Sequence, residues 1–205
     1  MALDNAKATQ IGAYHFSAES NIYEIQRGNN FEFVIDRSLN GLSAYGSETK
    51  TFARAQEYIR LSCSATSVPH FSQNPIEVRR GNTAVKYAGV ITWPSGTLEC
   101  YDFIGAEVKD ILMGWQAKSG NPLTQQVGLQ AEYKYPANLI EYTPDYKKIV
   151  RTWKLDGCWI SNIEEDQYSA DANGARKVRC TIEYDRAYVD TYEESTNYNW
   201  SEVRR

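Results

Sequence analysis

One block, from Glu57 to Gly120, limits the possible folds more than any other part of the sequence. It contains segments in which apolar and polar residues alternate, followed by one segment whose apolar residues have helical spacing. In residues 58–65 the apolar side chains, from Ile59 to Ala65, alternate with polar ones. A period of two is typical of a strand with one buried and one exposed face. We therefore predict a strand over residues 58–65, in a sheet whose polar face meets water or lines a wet space.

The middle of this block predicts a β-hairpin. After Pro75, the apolar residues Ile76 and Val78 alternate with charged ones, and Val85 and Tyr87 repeat the pattern on the way back. The turn between them falls at Gly81-Asn82 or at Asn82-Thr83, because glycine and asparagine favour tight hairpin turns.

The end of the block predicts an amphipathic helix. Its apolar residues stand at i, i+3, i+4 and i+7 and form a core stripe: Val108, Ile111, Leu112 and Trp115. Asp102 is the predicted N-cap, Lys118 lies in the last turn, and Gly120 followed by Pro122 ends the helix.

The rest of the chain adds strands and no second long helix. We predict strands at Asn30–Asp36 and at Lys147–Leu155, the latter ended by a turn at Asp156-Gly157, and a final strand at 177–184 preceded by a turn at 171–174. Residues 129–141 have a weak extended pattern, interrupted by Pro136. The fold class is therefore mainly β with one flanking α-helix, an antiparallel sandwich or barrel.

Three parts follow from these patterns. Residues 1–30 form an N-terminal extension, 31–190 form the β domain with an inserted loop at 37–56, and 191–205 form a polar C-terminal tail.

Composition excludes several classes of protein. The 205 residues contain no run of about 18 apolar side chains, so we expect no membrane span. The N-terminus lacks the basic start and apolar core of a signal peptide, which predicts synthesis in the cytoplasm. A net charge of −4 without basic clusters argues against tight binding of nucleic acid.

Residues for catalysis are scarce. His15 and His70 are the only histidines, and we interpret both as bystanders. We find no phosphate-binding glycine loop, no zinc-ligand spacing and no nucleophile motif, so we expect no enzymatic activity, no metal and no cofactor. The cysteines are interpreted as buried and reduced, with a disulfide as the alternative: Cys63, Cys100, Cys158 and Cys180.

Three segments together resemble a known family. They are the strand-like Ile59–Pro69 with its Cys-x-Ala-Thr-x-x-Pro type end, the hairpin Pro75–Gly89, and Lys154–Ile163 with its glycine and tryptophan. In order and spacing, the chain from Phe31 to Val189 resembles the tail tube proteins of contractile-tailed bacteriophages.

The resemblance implies a structural subunit of a virion tail, assembled in the host cytoplasm. Family members form hexameric rings whose subunits contribute strands to one continuous β-barrel, and the rings stack into a tube inside a contractile sheath. The implied partners are further copies of the chain and the sheath, baseplate and tail-terminator proteins. DNA passes through the bore without being held.

We hypothesise two sets of surface residues. The first set is predicted to include residues that face the bore, with positions at subunit contacts or outside the bore as the alternative for some of them: Arg60, Ser62, Ser64, Glu77, Arg79 and Lys86. The second set lies in the inserted loop and the tail and is predicted to contact other rings or the sheath: Leu42, Tyr45, Thr51, Tyr192, Tyr198 and Trp200.

Two alternatives to the main tube subunit stay open. One is a related tube protein, either a tube initiator near the baseplate or a secretion-system tube protein. The other is a tyrosine-rich carbohydrate-binding module, which would show a line of exposed aromatic residues on one face; Trp93, Trp153 and Trp159 are instead scattered in sequence.

Overall fold

The fold is a mainly antiparallel β structure with a few helices, as the sequence predicted. A computed structural model describes residues 26–36, 39, 42–43, 51–52, 54–104, 108–165, 169 and 174–191. The strands are β1 Phe31–Ile35, β2 Leu42–Ser43, β3 Thr51–Phe52, β4 Cys63–Thr66, β5 Ser72–Gln73, β6 Ile76–Arg80, β7 Thr83–Tyr87, β8 Ile91–Thr92, β9 Gly96–Tyr101, β10 Tyr135–Tyr142, β11 Ile149–Glu165, β12 Lys177–Glu183 and β13 Arg186–Thr191. The helices are α1 Ala55–Ser62, α2 Val108–Ser119 and α3 Gln130–Tyr133.

The main sheet has seven strands in the order β1-β10-β11-β12-β9-β4, with β13 also paired to β11. Strand β11 is 17 residues long and is shared by both ends of this sheet. Its first part pairs with β10 and β13, and its last part, from Trp159 to Glu165, pairs with β12. Strands β12 and β13 therefore pair one after the other along β11. In this way β11 joins one half of the sheet, with β1, β10 and β13, to the other half, with β12, β9 and β4.

At Gly157, β11 continues through the predicted turn. The prediction that Asp156-Gly157 ends the strand was wrong, because Gly157 adopts a φ of +70° inside the strand and the pairing resumes beyond it. On the opposite strand, the break between β12 and β13 lies at the same level, and the Asp185 N–H donates to the Asp156 carbonyl at 2.9 Å.

The core lies between the sheet and α2. The predicted stripe of Val108, Ile111, Leu112 and Trp115 is fully buried. Sheet residues from alternating positions pack against it: Phe33, Ile35, Leu98, Cys100, Leu139, Ile160, Val178, Cys180 and Ile182. The alternation predicted for the final strand is therefore confirmed by β12.

Residues 55–62 form a helix, so the strand predicted over 58–65 was wrong for its first five residues. In α1, Ala55, Ile59 and Ser62 are buried at helical spacing, whereas Leu61, an inward position of the predicted strand, is 66% exposed. The chain becomes extended only at Cys63, where β4 begins.

The segment 129–141 contains α3 and all of strand β10 except its last residue. Pro136 lies within β10, at a register shift between Tyr135 and Ala137 in the pairing with β11. A bulge of this kind accommodates a residue that has no N–H for the ladder. None of the helices in the described ranges is long and apolar enough to cross a membrane.

Candidate self-assembly surface

A long two-stranded arm projects from the domain between β4 and β9. It consists of β5 paired with β8 at its base and β6 paired with β7 at its end. Every residue from Phe71 to Ala88 is exposed, so the arm contributes nothing to the core. The turn is at Gly81-Asn82, and Gly81 has a φ of +63°, which suits glycine at the first central position of a two-residue hairpin turn.

One face of the arm is apolar and uncovered. Ile76 is opposite Tyr87, and Val78 is opposite Val85, so these four side chains lie on the same face. They are 56%, 47%, 41% and 38% exposed, in that order. A two-stranded hairpin is at best marginally stable in water by itself. An apolar patch on such a hairpin is therefore typical of a surface that a partner covers.

The other face of the arm is charged. Glu77 and Lys86 face each other and form an ion pair at 3.2 Å, and Arg79 is opposite Ala84. Both members of the pair are more than half exposed, so the pair contributes little to stability. The arm thus has two faces of opposite character, which allows it to contact a protein surface on one side and water on the other.

The six residues predicted to face a bore lie in three places. Glu77, Arg79 and Lys86 share the charged face of the arm. Arg60 lies on α1, where its Nε is 2.6 Å from Glu32 and the carboxylate raises the pKa of the guanidinium. Ser64 lies on β4 and donates to the Glu99 carbonyl at 3.3 Å.

The prediction was wrong for Ser62. Its side chain is buried, and its hydroxyl donates to the Ile59 carbonyl at 3.1 Å within α1. The error follows from the wrong strand: in a helix that begins at Ala55, position 62 is on the inner face.

The predicted ring-to-ring contacts are only partly within the described ranges. Leu42 is in β2 and Thr51 is in β3, and the two strands pair with each other. Tyr45, Tyr192, Tyr198 and Trp200 lie outside the described residues.

The sheet itself presents a polar outer face, which is not among the predicted surface residues. On β9 and β12, Glu99 binds Arg179 at 3.0 Å and Lys177 at 3.5 Å, and Thr97 is opposite Thr181. The alternation of these strands was visible in sequence, but the pairing of Glu99 with Arg179 depends on a register that no local pattern gives.

This half of the sheet ends in two strand edges. Strand β4 pairs only with β9, and the 159–165 part of β11 pairs only with β12, among the strands that the structure describes. Exposed edges are templates for pairing with another chain.

A second apolar surface is formed by the loop after α2. Leu123, Val127 and Leu129 are all more than 70% exposed. The loop is fixed by Asn121, whose side-chain oxygen accepts the N–H of Leu123 at 2.9 Å, and by a bridge between Gly120 and Val127. The loop therefore holds these apolar side chains in fixed positions on the surface.

Comparison with known proteins finds two related sequences. Tail tube protein gp19 of Enterobacteria phage T4 is 29% identical over 116 residues, which cover 55% of this chain and 70% of that protein. Tail tube protein gp19 of Enterobacteria phage T6 matches with the same identity and coverage. No family model matches the chain.

Several solved structures share the fold, among them chains of two contractile systems. A chain of the anti-feeding prophage cap, a tube-terminating cap, has a TM-score of 0.57 at 15% identity, covering 82% of this chain and 91% of that one. A chain of the PVC sheath-tube complex, from an extracellular contractile injection system in the extended state, has a TM-score of 0.56 at 15% identity, covering 82% and 93%. The resemblance to phage tail tube proteins predicted from the sequence is confirmed.

Proposed function

We infer that this chain is a structural subunit of a viral tail tube, a member of the group that includes the gp19 tail tube proteins. The projecting arm is the structural observation that best supports a role in self-assembly. Its apolar face, formed by Ile76, Val78, Val85 and Tyr87, is built like an interface and has no cover within the described part of the chain.

We propose that copies of the chain close into a ring. The two edges of one half-sheet, β4 and the end of β11, are different surfaces, so pairing one with the other joins copies head to tail. Contacts of this kind generate a closed ring when the rotation between copies divides a full turn. The family resemblance gives six as the number of copies, and stacking of such rings gives a tube.

A polar bore that lets DNA pass is part of the same proposal. Each copy has a formal net charge of −4, so six copies carry six times that, or −24. The net charge of the ring as a whole therefore opposes tight binding of DNA phosphates. Arg60, Ser64, Glu77, Arg79 and Lys86 stay as the candidate bore residues, and a density map of the assembled tube with all five on the outer wall would reject them.

The proposal places the tube in the virion tail, assembled in the host cytoplasm and in contact with sheath, baseplate and tail-terminator proteins. The support for these partners is the shared fold with chains of a sheath-tube complex and of a tube-terminating cap. The exposed loop with Leu123, Val127 and Leu129 is a candidate contact for the sheath. We propose no catalytic role, and a hydrolase or transferase activity that co-purified with the chain through size exclusion would contradict this.

The first test is direct imaging. Negative-stain electron microscopy of the purified chain at rising concentration is expected to show rings that stack into hollow tubes. A chain that stays strictly monomeric at the highest concentration would count against self-assembly.

A pair of matched variants tests the arm. Val85 and Ala84 are neighbours on β7 with opposite orientation, and both are exposed. Val85→Asp places a charge on the apolar face and is expected to abolish assembly, whereas Ala84→Asp places the same charge beside Arg79 and is expected to leave assembly intact. Sedimentation velocity measures both, and equal effects of the two variants would reject the apolar face as the interface.

A further inference from the structure

Cys63 and Cys100 face each other across the pair of strands β4 and β9. The two residues are direct partners in the antiparallel register. Cα atoms of directly opposed residues in such a pair are about 4.5–5.5 Å apart. Disulfides form across Cα separations of about 4.4–6.8 Å, so this position suits a covalent link without movement of the backbone.

The other two cysteines do not have such a partner. Cys180 is opposite Leu98 on β9, and Cys158 is opposite Tyr135 on β10. Cys180 is therefore diagonal to Cys100, at a spacing of about 7–8 Å that is too long for an unstrained disulfide.

The thiols of Cys63 and Cys100 also interact with each other. A hydrogen bond between them raises the pKa of the Cys63 thiol and lowers that of Cys100, which Ser62 lowers further by a second hydrogen bond. Cys100 is fully buried, whereas Cys63 is only half-buried. The pair thus combines a partly exposed cysteine with a fully buried one in contact with it.

We propose that Cys63 and Cys100 are an intrachain disulfide site, which a low-molecular-weight disulfide such as oxidised glutathione closes. Cys100 first loses its proton to solvent; the Cys63 proton then passes to the Cys100 thiolate, and the Cys63 thiolate attacks glutathione disulfide, forming a mixed disulfide and releasing one glutathione thiolate. That thiolate takes the proton from Cys100, whose sulfur then attacks Cys63 and displaces the second glutathione. Two protein thiols are oxidised and one small disulfide is reduced to two thiols, so the reaction needs no other oxidant.

The link closes a loop that contains the whole projecting arm. The arm leaves the domain after β4 and returns into β9, so its residues lie between the two cysteines. Among the strands that the structure describes, β4 is an edge strand that pairs with β9 alone, and the disulfide would tie it there. A chain oxidised after leaving a reducing compartment would therefore have the base of its arm fixed. This inference does not depend on the proposed function.

The experiment uses the purified full chain, reduced and then incubated with oxidised glutathione. Remaining thiols are alkylated after denaturation, and trypsin separates the four cysteines into four peptides. We expect an intact mass lower by two hydrogens before alkylation, two alkylated cysteines instead of four, and a linked peptide pair that contains Cys63 and Cys100. The melting temperature is expected to rise by several degrees and to return to its starting value with dithiothreitol.

Two variants control for the site. Cys63→Ser, at a half-buried position, is expected to remove the link and the thermal shift, and Cys158→Ala is expected to retain both. Four alkylated cysteines, a stable glutathione adduct on Cys63 without a link, or a link between Cys100 and Cys180 would each overturn the proposal. The peptide map of the wild-type chain decides between these outcomes even if a variant fails to fold.

Discussion

Gly157 has a backbone conformation that other residues adopt only at a cost, and it lies inside the strand that both halves of the main sheet share. Its φ of +70° lies in the left-handed region, inside a 17-residue strand. A Cβ at this position would also meet the carboxylate of Asp185, which Lys134 holds at 2.7 Å. Glycine here allows β11 to serve both halves of the sheet.

Replacement of Gly157 by alanine is expected to destabilise the domain. The left-handed conformation costs a non-glycine residue about 1–2 kcal/mol, and displacement of Asp185 from Lys134 adds to it. Urea unfolding monitored by tryptophan fluorescence measures the difference. Gly28→Ala is the matched control, since that position has ordinary φ and no atom within 4 Å of the added Cβ; an equal loss in both variants would contradict the explanation.

At single positions, the sequence predicted burial well where a strand or helix was assigned correctly. Val178, Cys180 and Ile182 are buried as their alternation indicated, and so is Trp115 of the helical stripe. Burial of Ser62 was not predicted, because its inward orientation follows from a helix that begins three residues before the segment predicted to be a strand. The contact of Cys63 with Cys100 depends on the register in which β4 pairs with β9. No local sequence pattern gives that register.

Among the elements, the short ones were the hardest to predict. Residues Ile59 to Ala65 fit a strand period, and only the inclusion of Ala55 reveals buried positions at helical spacing in α1. In contrast, α2 has four apolar residues in register over two turns, and the β6–β7 hairpin has alternation on both sides of a glycine turn. Long regular patterns identify their structure because several independent positions agree.

Helix α2 is tied to the sheet at its first turn by a set of charges. Lys109 reaches Glu165 of β11 at 2.8 Å, and Arg176 reaches the same carboxylate at 2.6 Å. Asp102 lies six residues before Val108, where α2 begins, so it is not the N-cap residue that the sequence predicted, but its carboxylate still accepts the Lys109 N–H at 3.3 Å. The two cations, Lys109 first, lower the pKa of Glu165.

The lowered pKa of Glu165 predicts a contribution to the free energy of unfolding that depends on pH. Because the pKa of Glu165 is lower in the folded chain than in the unfolded one, its contribution is present above the ordinary glutamate pKa of about 4.3 and is lost as the pH falls through the lowered value. Glu165→Gln is therefore expected to cost on the order of 1 kcal/mol or less at pH 7 and less at low pH.

Chemical unfolding at a series of pH values checks this expectation. Glu164→Gln is the matched control, since the Glu164 side chain is exposed and its hydrogen bond with Asn162 survives the change. A Glu165→Gln deficit that stayed constant down to acid pH would show that the effect is not carried by the charge.

For the molecule as a whole, the compact body and the arm are separate structures with separate roles. No residue from Phe71 to Ala88 belongs to the buried core, so we expect the body to fold without the arm. The base of the arm is attached by aromatic contacts, in which Trp93 packs against Phe71 at 5.6 Å and against Tyr184 of the body at 6.1 Å. An element that adds nothing to the core and exposes an apolar face is explained by assembly.

Shortening the arm is expected to separate folding from assembly. Replacement of residues 76–87 by an Asn-Gly turn keeps the β5–β8 base, because Ser72 and Gln73 still pair with Thr92 and Ile91. We expect a melting temperature within a few degrees of the full chain and complete loss of tubes and rings, measured by calorimetry and by sedimentation velocity on the same sample. Tubes formed by the shortened chain would show that the arm is not needed for assembly, and an unfolded product would show that the body depends on it.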